Sequence, residues 1–336
     1  MEILTLLKAN IRRKKGSFVS VILLTLIIAM SVTIILSIKE STLNGVSKAH
    51  EICDTPDIRA FYTAHDFSDD IIEKVKYDSR VGRVNVADSI LTETVKMGDE
   101  KYGNRTFILK ADENTKLLEE DLSGIAETAP KLQKGEIYVP QGFLTNVYGN
   151  VGEKVVIETT AGEYEFTVKG ILLDPTSGSA MIGYKSVCIS DEDFSEITSA
   201  ILKEKTENKN GLGKNVCIYK SDSCDLTSGQ FRRQLNLDTG VTDMAVGTLT
   251  NDMAVKYTTL FSETVSSILL VFVMLLLAIV IIVTVHNISV EIEANYVTFG
   301  VLKAQGFDKN KIRLLFLGQY LLAEIIGAVI GTALSI

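Results

Sequence analysis

The chain has 336 residues, a net charge of −8, and 46% hydrophobic residues beside 23% charged ones. A positive mean hydropathy at that charge content requires the apolar residues to be gathered into blocks, which excludes an evenly patterned soluble protein. The acidic balance also argues against nucleic acid as a partner.

Residues 1–16 form a basic N-terminus, with Lys8, Arg12, Arg13, Lys14 and Lys15 against Glu2. Residues 17–38 follow without a charge, and about 20 apolar helical residues suffice to cross a bilayer core. The run is longer than a signal-peptide core and has no small-residue cleavage pattern before Lys39-Glu40-Ser41-Thr42, so it reads as an uncleaved anchor. Residues 39–52 are expected to continue this helix as a stalk. A strand is expected over 57–63 and a helix over 68–77, which opens on Ser68 and two acids. Residues 81–111 are rich in β-branched side chains, with turns at Met97-Gly98-Asp99 and Tyr102-Gly103-Asn104. A strand at 135–139, a short helix at 140–148, a hairpin of 154–159 with 164–173 about Ala161-Gly162, a strand at 185–189 and a helix at 191–205 complete this stretch.

Residues 206–214 (TENKNGLGK) read as a linker. A strand at 216–219, a helix at 226–235, a strand at 240–246 and a second stalk helix at 248–263 are expected next. Residues 265–285 are again free of charge, giving a second span drawn at 264–285. Residues 286–313 return a basic segment with Lys303, Lys309, Lys311 and Arg313. A third run, 314–336, has spanning length but contains Gln319 and Glu324. The fold class is thus an α+β membrane protein. Its transmembrane helices flank a large extracytoplasmic α/β domain, residues 39–263, that carries a β-rich inserted lobe.

Charge sets the expected orientation. The basic cluster against the first span places the N-terminus in the cytoplasm, residues 39–263 outside and 286–313 back inside. Residues 1–16 carry a net +4, 286–313 a net +1 and Glu324 a further −1, so the chain's −8 leaves −12 on the outer domain. Such a surface does not adhere to anionic lipid. The four cysteines, Cys53, Cys188, Cys217 and Cys224, all lie in that domain. An even number in an oxidising compartment permits two disulfides, with no pairing implied by spacing. His50, Asp54, His65 and Asp66 are irregularly spaced and read as solvated loop residues rather than metal ligands. The phosphate-binding pattern G-x-x-x-x-G-K-[ST] is missing, so no nucleotide hydrolysis, cofactor or metal is expected of this chain.

The most informative segment is 288–336. Phe299, Gly300, Val301, Leu302, Lys303, Ala304, Gln305 and Gly306 stand in order just inside the second span, and Gly327 to Gly331 lie in a glycine-rich third span. This arrangement resembles the FtsX-like permease family of ABC transporters, which includes the MacB and lipoprotein-releasing subunits. The FtsX-like region would be 264–336. Outside the membrane, Gly135-Glu136-Ile137-Tyr138-Val139-Pro140, Val151-Gly152-Glu153-Lys154-Val155 and Phe166-Thr167-Val168-Lys169-Gly170-Ile171 look like the family's MacB-like periplasmic core. Asn295 and Thr298 stand where the family usually has arginine and glutamate, and Gln319 where an acid is common.

The resemblance implies a bacterial plasma-membrane permease subunit. A separate cytoplasmic ABC ATPase would dock on Phe299, Gly300, Val301, Leu302, Lys303, Ala304 and Gly306, and a second permease subunit, identical or not, would complete the membrane part. Handling of lipoprotein, peptide, antibiotic or cell-wall-related substrates would follow by mechanotransmission. Small residues at 300, 304 and 306 would permit close approach of a partner backbone, while a plain connecting turn lying on the membrane surface is the bland alternative. Gly327-x-x-x-Gly331 would pack helices closely, and Glu324 should face protein rather than membrane lipid. The family pattern also implies a fourth span beyond Ile336. A membrane-anchored sensor with a ligand-binding outer domain is the alternative, disfavoured by the short segment between the second and third spans. An anchored extracellular enzyme lacks a nucleophile–base pair.

Overall fold

The structure, a computed structural model, describes residues 11–12, 15–92, 94–97, 100–103, 105–143, 151–203, 211–304 and 309–335. The chain divides into two compact units. One, the helix unit, is Met1–Leu43 with Phe261–Ile336, and the other, the sheet unit, is Asn44–Leu260. Mixed helix and strand, one large sheet and three helices apolar enough to cross a membrane make this a membrane protein of mixed fold.

The helix unit is built on α1 (Lys15–Ile52), α5 (Asn251–Ala294) and α7 (Lys309–Leu334), with the short α6 (Tyr296–Ala304) between the last two. The first runs for 38 residues and the second for 44, so the apolar runs and the stalks expected beside them form single helices. Several hydroxyls inside these runs are satisfied on their own helix, although Thr284 Oγ1 is buried without a partner. Thr25 donates to the Val21 carbonyl at 2.9 Å, Ser31 to Ile27 at 2.8 Å and Thr33 to Ala29 at 2.9 Å, each one turn back on its own helix. Large apolar side chains such as Val271, Phe272 and Ile282 point outward from α5, as a lipid-facing helix requires.

Among its described residues the sheet unit holds twelve strands in one sheet. They are β1 (Ile58–Thr63), β2 (Val81–Thr92), β3 (Thr94–Met97), β4 (Glu100–Tyr102), β5 (Arg105–Lys110), β6 (Leu117–Leu118), β7 (Glu136–Pro140), β8 (Lys154–Thr159), β9 (Gly162–Leu172), β10 (Tyr184–Ile189), β11 (Leu212–Lys220) and β12 (Gly247–Thr250). The order is β12-β1-β11-β2-β5-β10-β7-β9-β8-β3-β4, with β6 on β9. Only the β5–β10 and β7–β9 pairs are parallel. Helices α2 (Asp69–Lys76), α3 (Asp191–Lys203) and α4 (Ser228–Thr239) cover it. Ile58, Val216, Phe231 and Leu235 centre one apolar core, and Ile108, Val155, Val187 and Phe194 another. A third core, of Leu117, Leu132, Tyr138, Leu172 and Cys188, lies on the same continuous sheet. Helix α4 starts on a capping box, Thr227 with Gln230.

Four expectations about local structure need correction. Gly240 does not open a strand: it ends α4 in the left-handed conformation at φ +71° and donates its N–H to Asn236. A glycine makes such a cap at no Cβ cost, so the chain turns there and the strand falls at Gly247–Thr250. Thr248 to Thr250 consequently belong to β12 rather than to the second stalk helix, which begins at Asn251. Of the expected linker, 206–210 lie outside the described residues, but Leu212 to Lys214 are strand. Gly213 is a packing glycine, because any Cβ there would collide with the Tyr62 carbonyl on the neighbouring strand. The expected short helix after Pro140 is a 3-10 turn at Gln141–Phe143, and 144–150 lie outside the described residues.

The sheet unit buries a polar nucleus beside these cores. Arg59 meets Asp174 at 3.0 Å, Asn215 at 3.1 Å and Thr176 at 2.7 Å. Ser177 and Thr176 donate to the same carboxylate. Burial pushes the Asp174 carboxyl up, but Arg59 and the two hydroxyls overcome this and hold it below the usual range. Lys185, fully buried, gives its ammonium to the carbonyls of Ser177, Ser179 and Ile182. Burial pulls it down to about 8, against the charge of Asp174. His50, expected in a solvated loop, is instead buried near the end of α1 with neither ring nitrogen hydrogen-bonded. All four cysteines are free, so neither permitted disulfide is formed. Burial, aided by Asp174, pushes Cys53 and Cys188 up to about 12, and neither is a thiolate at neutral pH.

Candidate coupling site

The apolar helices of this chain have no hydrophobic reason to associate in lipid, so their contacts must come from close packing and polar pairing. Both are present in the helix unit. A Cβ on Gly327 would stand 2.6 Å from the Ile22 carbonyl oxygen and 2.9 Å from Thr25, and one on Gly331 would collide with the Leu26 carbonyl. The Gly327-x-x-x-Gly331 surface of α7 thus lies backbone to backbone against α1. Val21, Tyr320 and Ala323 are buried beside it, with Phe18, Ile22 and Ile288 packed around them.

Polar pairing centres on Glu291, near the C-terminal end of α5 and only 1% exposed. Its Oε2 accepts from Gln319 Nε2 at 2.8 Å and from the Tyr320 hydroxyl at 3.1 Å, both on α7. The same hydroxyl lies 3.4 Å from Ser17 Oγ on α1. The backbone carbonyl of Glu291 is also used, by the backbone N–H of Asn295 at 3.1 Å and by its side-chain amide at 2.9 Å. Asn295 is the single residue between α5 and α6.

Helix α6 follows that turn. Tyr296, Val297 and Val301 are 78%, 79% and 52% exposed, an apolar display that no described part of the chain covers. Among the described residues outside its own turn of helix, nothing lies within 4 Å of a Cβ built on Gly300. Lys303 and Ala304 are exposed. The side chains of Phe299 and Leu302, and all of Gly306, lie outside the described residues. Among the residues picked from sequence, Gly327 and Gly331 meet the first helix, and Glu324 is half-buried one turn beyond Tyr320. Gly300, Val301, Lys303 and Ala304 share the short helix α6.

Sequence reasoning missed Glu291, Tyr320 and Ser17. Glu291 sits in a segment that reads as a charged cytoplasmic connection, where an acid is unremarkable. The signal that could have found it is Gln319-Tyr320 at the start of an apolar run, since two polar side chains there require a partner.

Residues 268–336 match the family model for the FtsX-like permease C-terminal domain. That stretch is similar to an FtsX-like permease domain. It spans the second and third apolar helices and the α6 segment between them, while residues 44–260 lie outside the match. No curated protein matches the chain. An FtsX-like permease domain points to the permease subunit of an ABC-type transporter, a transport component rather than an enzyme, of a kind that works with ABC ATPases.

Proposed function

We propose that this chain is a transmembrane permease subunit in which α6 receives a separate cytoplasmic ABC ATPase and passes its movement to the spans. The observation that carries this reading is the open space around Gly300, flanked by exposed Val297 and Val301, on a nine-residue helix inserted between two membrane-length helices. An apolar surface with an adjacent lysine and a bare backbone position suits a protein groove better than water. The basic residues at 12–15, 303, 309, 311 and 313 favour an N-terminus and α6 on the cytoplasmic side. The sheet unit then stands outside as a MacB-like core, and a second permease subunit joins it in the membrane. ATP hydrolysis would serve export or handling of lipoprotein, peptide, antibiotic or cell-wall-related material.

Replacing Gly300 tests the reading. Gly300→Trp should leave the chain's melting unchanged, since the space is open, yet abolish stimulation of the partner's ATP hydrolysis in a reconstituted complex. Wild-type association and stimulation in that variant would defeat docking at α6.

A further inference from the structure

A carboxylate buried on a membrane helix is expensive, and it persists only where its geometry is used. Glu291 is used at both ends of the residue. Its side chain is held by Gln319 and Tyr320 of α7, and through the Tyr320 hydroxyl it comes within reach of Ser17 on α1. Its carbonyl accepts both the backbone and the side-chain N–H of Asn295, which is the whole connection to α6. One residue therefore ties the root of α6 to all three long helices. We propose that Glu291 is the positioning residue of this permease, setting the direction in which α6 leaves α5 and making that direction depend on the packing of α1 against α7. The proposal deepens the docking reading above and rests on it for its consequence, not for its geometry.

Physical alternatives differ in what they require. A carboxylate kept only to fill space would be replaceable by leucine, and one kept for proton movement would need a path of titratable groups. The Gln319 amide and the Tyr320 and Ser17 hydroxyls are directional partners that fix the orientation of the carboxylate. Gln319 is the donor matched to Glu291, so the acid and the amide form a complementary pair across α5 and α7. A pair of this kind can be exchanged between helices, whereas Gln319→Glu alone sets two carboxylates face to face and Glu291→Leu removes the acceptor that Gln319 and Tyr320 use.

That exchange is the test. In full-length chain with its four cysteines replaced by serine, spin labels at Val301 and Val329 report the α6–α7 distance, and reconstitution of the same variants without labels, Val301 and Val329 intact, with the ATPase reports coupling. Glu291→Leu and Gln319→Glu should each broaden the distance distribution and cut stimulated hydrolysis about tenfold or more. Glu291→Gln combined with Gln319→Glu should narrow the distribution again and recover coupling. A narrow wild-type-like distribution in Glu291→Leu, or a double exchange as broad as the single variants, would overturn the proposal. Should the wild-type chain fail to stimulate any ATPase, docking falls, while the distance measurement still decides the role of Glu291.

Discussion

The sheet unit and the helix unit both bury charge, and they do so under different rules. In the sheet unit Asp174 is enclosed with its counter-ion Arg59 and with hydroxyl donors from Thr176 and Ser177. In the helix unit the carboxylate of Glu291 meets an amide and a phenol, and the surrounding contact is glycine against backbone. Water drives the first unit together, so its ions are a cost that pairing must offset. Nothing comparable drives helices together in lipid, so the polar set and the glycines choose register and direction. Breaking the sheet-unit pair should therefore damage the fold, whereas breaking the helix-unit set should damage geometry.

The largest effect expected is on the ion pair. Asp174→Ala leaves Arg59 charged and buried, and should cost the sheet unit about 3–5 kcal/mol in a urea melt of the full chain. Adding Arg59→Met should return much of that loss, because no charge remains to be enclosed. An Asp174→Ala chain that melts like wild type would erase the contrast between the units.

Next in size is Gly331→Leu. The added side chain meets the Leu26 backbone, which cannot retreat as a side-chain tip would, and overpacking of this kind costs about 1–3 kcal/mol. Cross-linking between cysteines at Leu26 and Thr332 should fall, while the sheet-unit melt stays in place. Loss of both together would show that the two units unfold as one.

The smallest effect is on pH dependence, and it sharpens the account of the sheet unit. Burial lowers the pKa of His50, with Asp174 acting in the opposite direction. A base whose folded pKa lies below its unfolded value binds fewer protons when folded. Its contribution is neutral above about 6.5 and turns destabilising as pH falls below it. Asp174, held low in the fold, stabilises above the ordinary carboxylate range, and that stability is lost at more acid pH. Urea midpoints should thus decline in two stages on acidification. His50→Phe should remove the first stage and leave the second. An unchanged first stage in that variant would assign it to another group.

Composition and period carried much of this fold. Charge-free runs of spanning length can only be helices in a bilayer, since every backbone group must be paired within the segment, and α1 and α5 follow. Alternating β-branched residues located β1, β5, β7 and β9 for the same local reason. The glycines misled where their reason was not local. Gly213 looks like linker sequence until Tyr62 is placed beside it, and Gly240 looks like a strand start until α4 needs its cap.

What the sequence determined by itself is what a single segment can satisfy alone: three apolar helices, the basic stretches at 1–16 and 286–313, and the glycine-rich pattern similar to FtsX-like permease domains. The tertiary structure decided which polar groups meet. Arg59 and Asp174 are far apart in the chain, as are Ser17, Glu291 and Tyr320, and no periodicity links them. A buried charge settles where a partner can reach it, and partners 115 or 303 residues away are found only when the whole chain has packed.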